Sequence, residues 1–134
     1  MTLKRIPKGE LTMGLTPVVV RLFKSDSAKT YEDDFLVDTG SMDTMAPASA
    51  LKKLGIQPLG KEIYELANGE LVEYEYGSAD IEFMGEVVPI RIIFGPDGSA
   101  PILGVIALEI AGYIVDPKNQ AIRKLEARPL KRVA

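Results

Sequence analysis

The sequence predicts a mostly β single domain with one or two short helices. Three observations predict it. Short β-branched and aromatic runs recur along the chain, such as Val18 to Phe23 and Val87 to Phe94. Glycine-bearing turn pairs separate several of them: Asn68-Gly69, Met84-Gly85 and Asp97-Gly98. The length, 134 residues, is that of about one domain.

Residues 1–14 carry Pro7, Gly9 and Gly14 without a period and read as an arm. Val18 to Phe23 is the first strand, and the small polar run Ser25 to Lys29 is its turn. Phe35-Leu36-Val37 is continuously apolar, which predicts a strand buried on both faces. It stops at Asp38-Thr39-Gly40-Ser41. Pro47 to Leu54 is a helix, with Pro47 in the first turn and Gly55 just past the end. Pro47, Ala50, Leu51 and Leu54 share one of its faces.

Asn68-Gly69 is the pair that a type I′ hairpin turn prefers, flanked by Ile63, Leu66, Val72, Tyr74 and Tyr76. Met84-Gly85 turns Ile81-Glu82-Phe83 back into Val87 to Phe94, and Asp97-Gly98 is a third turn. Ile102-Leu103-Gly104 then leads into Val105 to Ala111, apolar on nearly every side, hence a buried helix capped by Gly112. Tyr113 to Val115 and Ala121 to Leu125 are short strands around Asp116-Pro117. One order of elements occurs twice: strands, a glycine loop and a helix run from Val18 to Leu54 and again from Ile81 to Ala111.

Composition narrows the chemistry. The chain is 46% hydrophobic and 26% charged, enough to bury a core. Sixteen Lys and Arg against nineteen Asp and Glu give a net charge of -3, which argues against a nucleic-acid partner. Histidine and cysteine are both absent. Their absence excludes Ser-His-Asp and Cys-His nucleophiles, disulfides, and zinc sites built from His or Cys. Neither a metal nor a cofactor is expected. No segment resembles a signal peptide or approaches the roughly 20 apolar residues of a membrane span, so a cytoplasmic protein is the default expectation.

Carboxylates, hydroxyls, lysines and backbone groups remain. Asp38 is the best candidate, because three apolar residues deliver it from the core. A carboxylate there must be hydrogen-bonded or functional. Thr39 and Ser41 supply hydroxyls, and Gly40 permits close backbone approach. A turn-capping Asp is the plainer account of the same residue.

Leu36-Val37-Asp38-Thr39-Gly40-Ser41, a glycine-tipped hairpin, then Ile102-Leu103-Gly104 and a buried helix resemble the retropepsin-like aspartic proteases. The resemblance spans Leu15 to Leu125. Ala107-Leu108-Glu109 and Val115-Asp116-Pro117 resemble segments of bacterial and archaeal members. It implies a retropepsin-like acid-protease β-barrel over 15–125 with a flap hairpin, between the arm of 1–14 and a basic tail of 126–134. It also implies an aspartic endopeptidase. Peptide hydrolysis by carboxylates needs two of them sharing a proton, and the chain holds one Asp-Thr-Gly. The second Asp38 is then expected from the other subunit of a homodimer.

By the same resemblance Asp38, Thr39 and Gly40 are catalytic, with Thr39 locking the two loops across the axis. Ser41, Met42, Asp43, Met45 and Ile102 line the substrate cleft, and Asn68 and Gly69 cover it as the flap. The Ser41 hydroxyl is expected to hydrogen-bond the Asp38 carboxylate, and the optimum to be acidic. Retroviral members carry an Asp where Met42 stands and an Arg where Val105 stands, so an apolar contact is expected in place of that ion pair.

Glu62 to Glu86 holds eight acidic residues and no basic one, read as a solvated face or as a cleft favouring basic or neutral peptides. Residues 121–134 hold five Lys and Arg, read as a flexible solvated tail or, second, as a surface for an anionic partner. An inactive peptide-binding module on the same fold is the competing reading.

Overall fold

The structure is a computed structural model that describes residues 10–12, 17–116, 118–119 and 121–130. Chain order is β1 (Glu10–Thr12), β2 (Pro17–Phe23), β3 (Thr30–Val37), β4 (Thr44–Pro47), α1 (Ala48–Lys53), β5 (Gly60–Glu65) and β6 (Leu71–Phe83). There follow β7 (Glu86–Gly95), β8 (Ile102–Leu103), α2 (Val105–Ile110), β9 (Tyr113–Asp116) and β10 (Ala121–Lys124). The larger sheet runs β2-β3-β8-β4-β7-β6-β5, and β2 also pairs with β6, nearly closing a ring. Barrel closure of this kind hides sheet edges. The smaller sheet is β1-β10-β9.

The two similar halves interlock. β8, from the second half, lies between β3 and β4 of the first, parallel to β3 and antiparallel to β4. β4 in turn pairs in parallel with β7. Parallel pairs require long crossovers, and the helices and hairpins supply them. The core fills the ring: Val20, Leu22, Phe35, Leu51, Ile81, Ile92 and Leu103 are fully enclosed.

β6 changes role along its length. None of its first six residues is buried, and the first five pair only with β5, whereas from Gly77 onward alternate residues enter the core. The β5–β6 hairpin therefore stands out from the barrel, rooted where β6 joins β7 and β2.

Several expectations are corrected. β3 is not buried on both faces: Phe35 and Val37 point inward while Leu36 stays 45% exposed, the alternation of a strand with one wet face. Pro47 ends β4 and caps α1 rather than lying in its first turn. The Asn68-Gly69 turn is not type I′, because only Gly69 has a positive φ, of 83°. Gly69 N donates to Leu66 O and Leu66 N to Glu70 O, a three-residue loop closed by a glycine bulge. The I′ geometry occurs at Met84-Gly85, with φ of 51° and 80°. α2 is not buried all round: Glu109 and Ile110 are exposed.

Both ends of the chain also differ from expectation. Residues 10–12 of the expected arm form β1 on β10; residues 1–9 and 13–16 lie outside the described residues. The start of the basic tail is tied down. Lys124 Nζ donates to Ala111 O, Leu125 N to Gly112 O at 2.8 Å, and Arg128 Nη1 to Ile110 O at 2.6 Å. These cations satisfy carbonyls that the end of α2 leaves free. Residues 131–134 lie outside the described residues.

Candidate active site

The Asp38 loop is clamped by the second motif through backbone groups. Leu36 N donates to Pro101 O and Asp38 N to Leu103 O, both at 3.0 Å. The first amides of α2 then reach the loop: Val105 N to Ser41 O at 2.8 Å and Ile106 N to Met42 O at 3.1 Å. Gly104 N donates to the buried Thr44 Oγ1 at 3.1 Å. Met42, where retroviral members carry the Asp of the family's ion pair, is 65% exposed. Main-chain hydrogen bonds buttress the loop.

Asp38 is held at both oxygens. Oδ1 accepts from Gly40 N and Oδ2 from Ser41 Oγ, each at 3.0 Å. Ser41 N closes the turn on Asp38 O at 3.1 Å. Asp38 itself is exposed in the single chain, not buried as its apolar approach suggested, because Val37 is the last inward residue of β3. Gly40 lies so near that a Cβ there would stand 3.3 Å from Asp38 Oδ1. The Thr39 hydroxyl makes no hydrogen bond among the described residues.

A cleft of about 530 Å³ opens beside this loop. Ser41, Met42, Asp43, Met45 and Ile102, five of the positions expected to meet substrate, line it together with Gly40. Asn68 and Gly69 do not; they sit at the hairpin tip. Ile63, Leu66 and Met42 contribute exposed apolar surface.

Asp43 is 9% exposed and accepts a 2.7 Å hydrogen bond from Tyr64 OH at Oδ2. Burial, and then the Asp43 carboxylate, push the Tyr64 hydroxyl up to about 12, against a smaller opposing effect of Arg91. The Arg91 guanidinium stacks 3.8 Å from the centre of the Tyr76 ring and stands 3.5 Å from Glu62 Oε2. Burial works to lower its pKa, but Tyr76, Tyr64 and Asp43 outweigh it and hold the guanidinium above its ordinary value.

Sequence reasoning missed Tyr64, Tyr74, Arg91 and Ile93, which also line the cleft. Their convergence depends on the registers Glu62↔Tyr74 and Tyr76↔Ile93. Arg91 left one signal, as the lone charge in the apolar run Val87 to Phe94. The acidic stretch divides: Glu62 and Glu65 line the cleft, Glu73 pairs with Lys61, and Glu82 pairs with Arg21. No group of three or more Asp or Glu able to hold a metal ion occurs among the described residues, nor is any helix there long and apolar enough to cross a membrane.

A barrel of two interlocked halves, with an Asp-Thr-Gly loop clamped by the Ile-Leu-Gly crossing, is the architecture of retropepsin-like aspartic proteases. A family profile described as aspartyl protease matches residues 26–106, and the chain belongs to that family. Among solved structures, the simian foamy virus (mac) protease aligns with a TM-score of 0.51 and 13% identity, over 70% of this chain and 92% of that one. A retropepsin-like aspartic protease from Rickettsia conorii aligns at 0.46 and 19%, over 85% and 97%. No curated protein sequence matches.

Proposed function

We propose that the protein is an aspartic endopeptidase whose active site is completed by a homodimer, each subunit giving one Asp38. The observation that carries this reading is the state of Asp38. Both its oxygens are held, by Gly40 N and Ser41 Oγ, yet its side chain is exposed, and the two residues that hold it line a cleft. A turn-capping Asp needs no cleft.

A two-fold axis beside the Asp38 loops brings the carboxylates together, with Thr39 of each copy free to bond across it. One proton is shared, since two close carboxylates cannot both ionise easily. The ionised Asp38 takes a proton from water as the water attacks the peptide carbonyl, and the protonated one donates to the carbonyl oxygen. Collapse of the tetrahedral intermediate then breaks the C–N bond, with a proton passed to the leaving nitrogen. The peptide lies extended in the cleft against Ser41, Met42, Asp43, Met45 and Ile102. The β5–β6 hairpin is the flap, with Asn68 and Gly69 at its tip, closing to exclude water.

The test is digestion of a diverse peptide library from about pH 4 to 7, comparing the protein with Asp38→Asn and measuring sedimentation at the same concentrations. Cleavage with an acidic optimum by the dimer, reduced about a thousandfold or more in Asp38→Asn, is expected. A folded dimer that cleaves nothing would replace this reading with that of a peptide-binding module.

A further inference from the structure

The cleft has a charge asymmetry that peptide-backbone binding does not use. Asp43 is nine-tenths buried, and Tyr64 occupies only its Oδ2. Oδ1 accepts no hydrogen bond among the described residues, where no side-chain oxygen is both enclosed and unpaired. It is therefore not fully enclosed, on a residue that lines the cleft. Glu62 and Glu65 add two carboxylates to the same lining. Arg91 is the one cation lining the cleft among the described residues; Glu62 and the Tyr76 ring engage it, and its single charge also acts on Asp43.

Three carboxylates against one engaged guanidinium leave the cleft negative. Its aromatic wall suits a cation as well. The Tyr64 and Tyr74 rings stand 6.2 Å apart, tilted by 45°, and offer π-faces of the kind Tyr76 gives Arg91. Exposed Met42 and half-buried Met45 offer apolar surface along which the stem of a long cationic side chain can lie.

We propose that this cleft selects peptides bearing a lysine or arginine side chain, its charged head paired with Asp43 Oδ1 beside Tyr64 and Tyr74. The proposal deepens the proteolytic reading and rests on it for the peptide nature of the ligand.

The test uses labelled peptide pools that carry Lys, Arg, norleucine or Glu at one fixed position and are otherwise randomised. Binding to the Asp38→Asn protein is read by fluorescence anisotropy, and cleavage is read with the unsubstituted protein. Lys and Arg pools are expected to bind at least about tenfold more tightly than norleucine, about 1.4 kcal/mol, with Glu weakest. Asp43→Asn keeps an acceptor for Tyr64 and is expected to narrow the gap to about threefold or less. Glu65→Gln, on an exposed residue of β5, is expected to narrow it in part.

Equal binding of the norleucine and Lys pools overturns the proposal. So does a Lys preference unchanged in Asp43→Asn, or failure of every pool to bind. Cleavage indifferent to Lys overturns it while leaving the peptidase reading intact. A Lys preference in binding without cleavage upholds it while removing that reading.

Discussion

Gly104→Ala tests whether the second motif is the clamp on the Asp38 loop. Gly104 has an ordinary φ of -87°, so backbone freedom is not what requires glycine there. Space is. A Cβ would stand 2.5 Å from Asp43 O, 2.6 Å from Asp43 C and 2.7 Å from Met42 O, where ordinary contact begins at 3.4 Å. All three atoms are backbone, so no side chain can swing aside. The loop must open by about 0.9 Å, the gap between 2.5 and 3.4 Å. That movement stretches the hydrogen bonds from Gly104 N, Val105 N and Ile106 N, now 2.8 to 3.1 Å long, beyond useful length.

Overpacking costs about 1–3 kcal/mol and the three lost hydrogen bonds about 1 kcal/mol each, so a destabilisation of about 4–6 kcal/mol is expected. For a chain of this size that lowers Tm by roughly 20 °C. The peptidase activity proposed above is expected to fall by about a hundredfold through the displaced loop. Gly69→Ala is the control. Its φ is +83° with nothing within 4 Å, so it carries backbone strain of about 1–2 kcal/mol and no clash. Urea and thermal unfolding of both variants, at one protein concentration, decide the matter. A Gly104→Ala protein as stable as Gly69→Ala or more so would refute the clamp.

Tyr64→Phe removes the 2.7 Å donor to buried Asp43 and is expected to cost about 1–3 kcal/mol in urea unfolding. Asp97 governs part of the acid limb. The Ser49 backbone N–H, which donates to its Oδ1 at 3.1 Å at the start of α1, and then the Ser49 side chain hold its carboxyl below the ordinary value. A depressed carboxyl stabilises the fold above its unfolded pKa, and that contribution is lost as pH falls through the lower folded value. Tm should therefore fall more steeply below about pH 4 in the unsubstituted protein than in Asp97→Asn, as scanning calorimetry across that range will show.

Much of the barrel was legible because its signals are local. Glycines at 55, 69, 85, 98 and 112 sit at positive φ, as the predicted turns and helix ends required. The core residues of β2 and β7 follow from β-branched runs. What failed depended on neighbours. Leu36 looks like core in the run Phe35-Leu36-Val37, but the pleat turns it outward. Asn68-Gly69 prefers a two-residue turn, yet the Leu66↔Glu70 closure gives it three residues and a bulge. Lys124 and Arg128 look like a solvated tail, and only the nearby end of α2 gives them carbonyls to bind.

The catalytic candidates, too, were readable as a motif: Asp38, Thr39, Gly40 and Ser41 are contiguous, and a turn joins them through short-range hydrogen bonds. The cleft was not. Its tyrosines and Arg91 reach Asp43 through strand registers spanning β5, β6 and β7. By itself the sequence determined the turns, the strand-rich architecture and the Asp38 loop, because local backbone preference and hydrophobic alternation act over a few residues. Only the tertiary structure decided that Gly104 must pass against Asp43 and that Tyr64 must hold its carboxylate, because those contacts exist only once distant strands share a barrel.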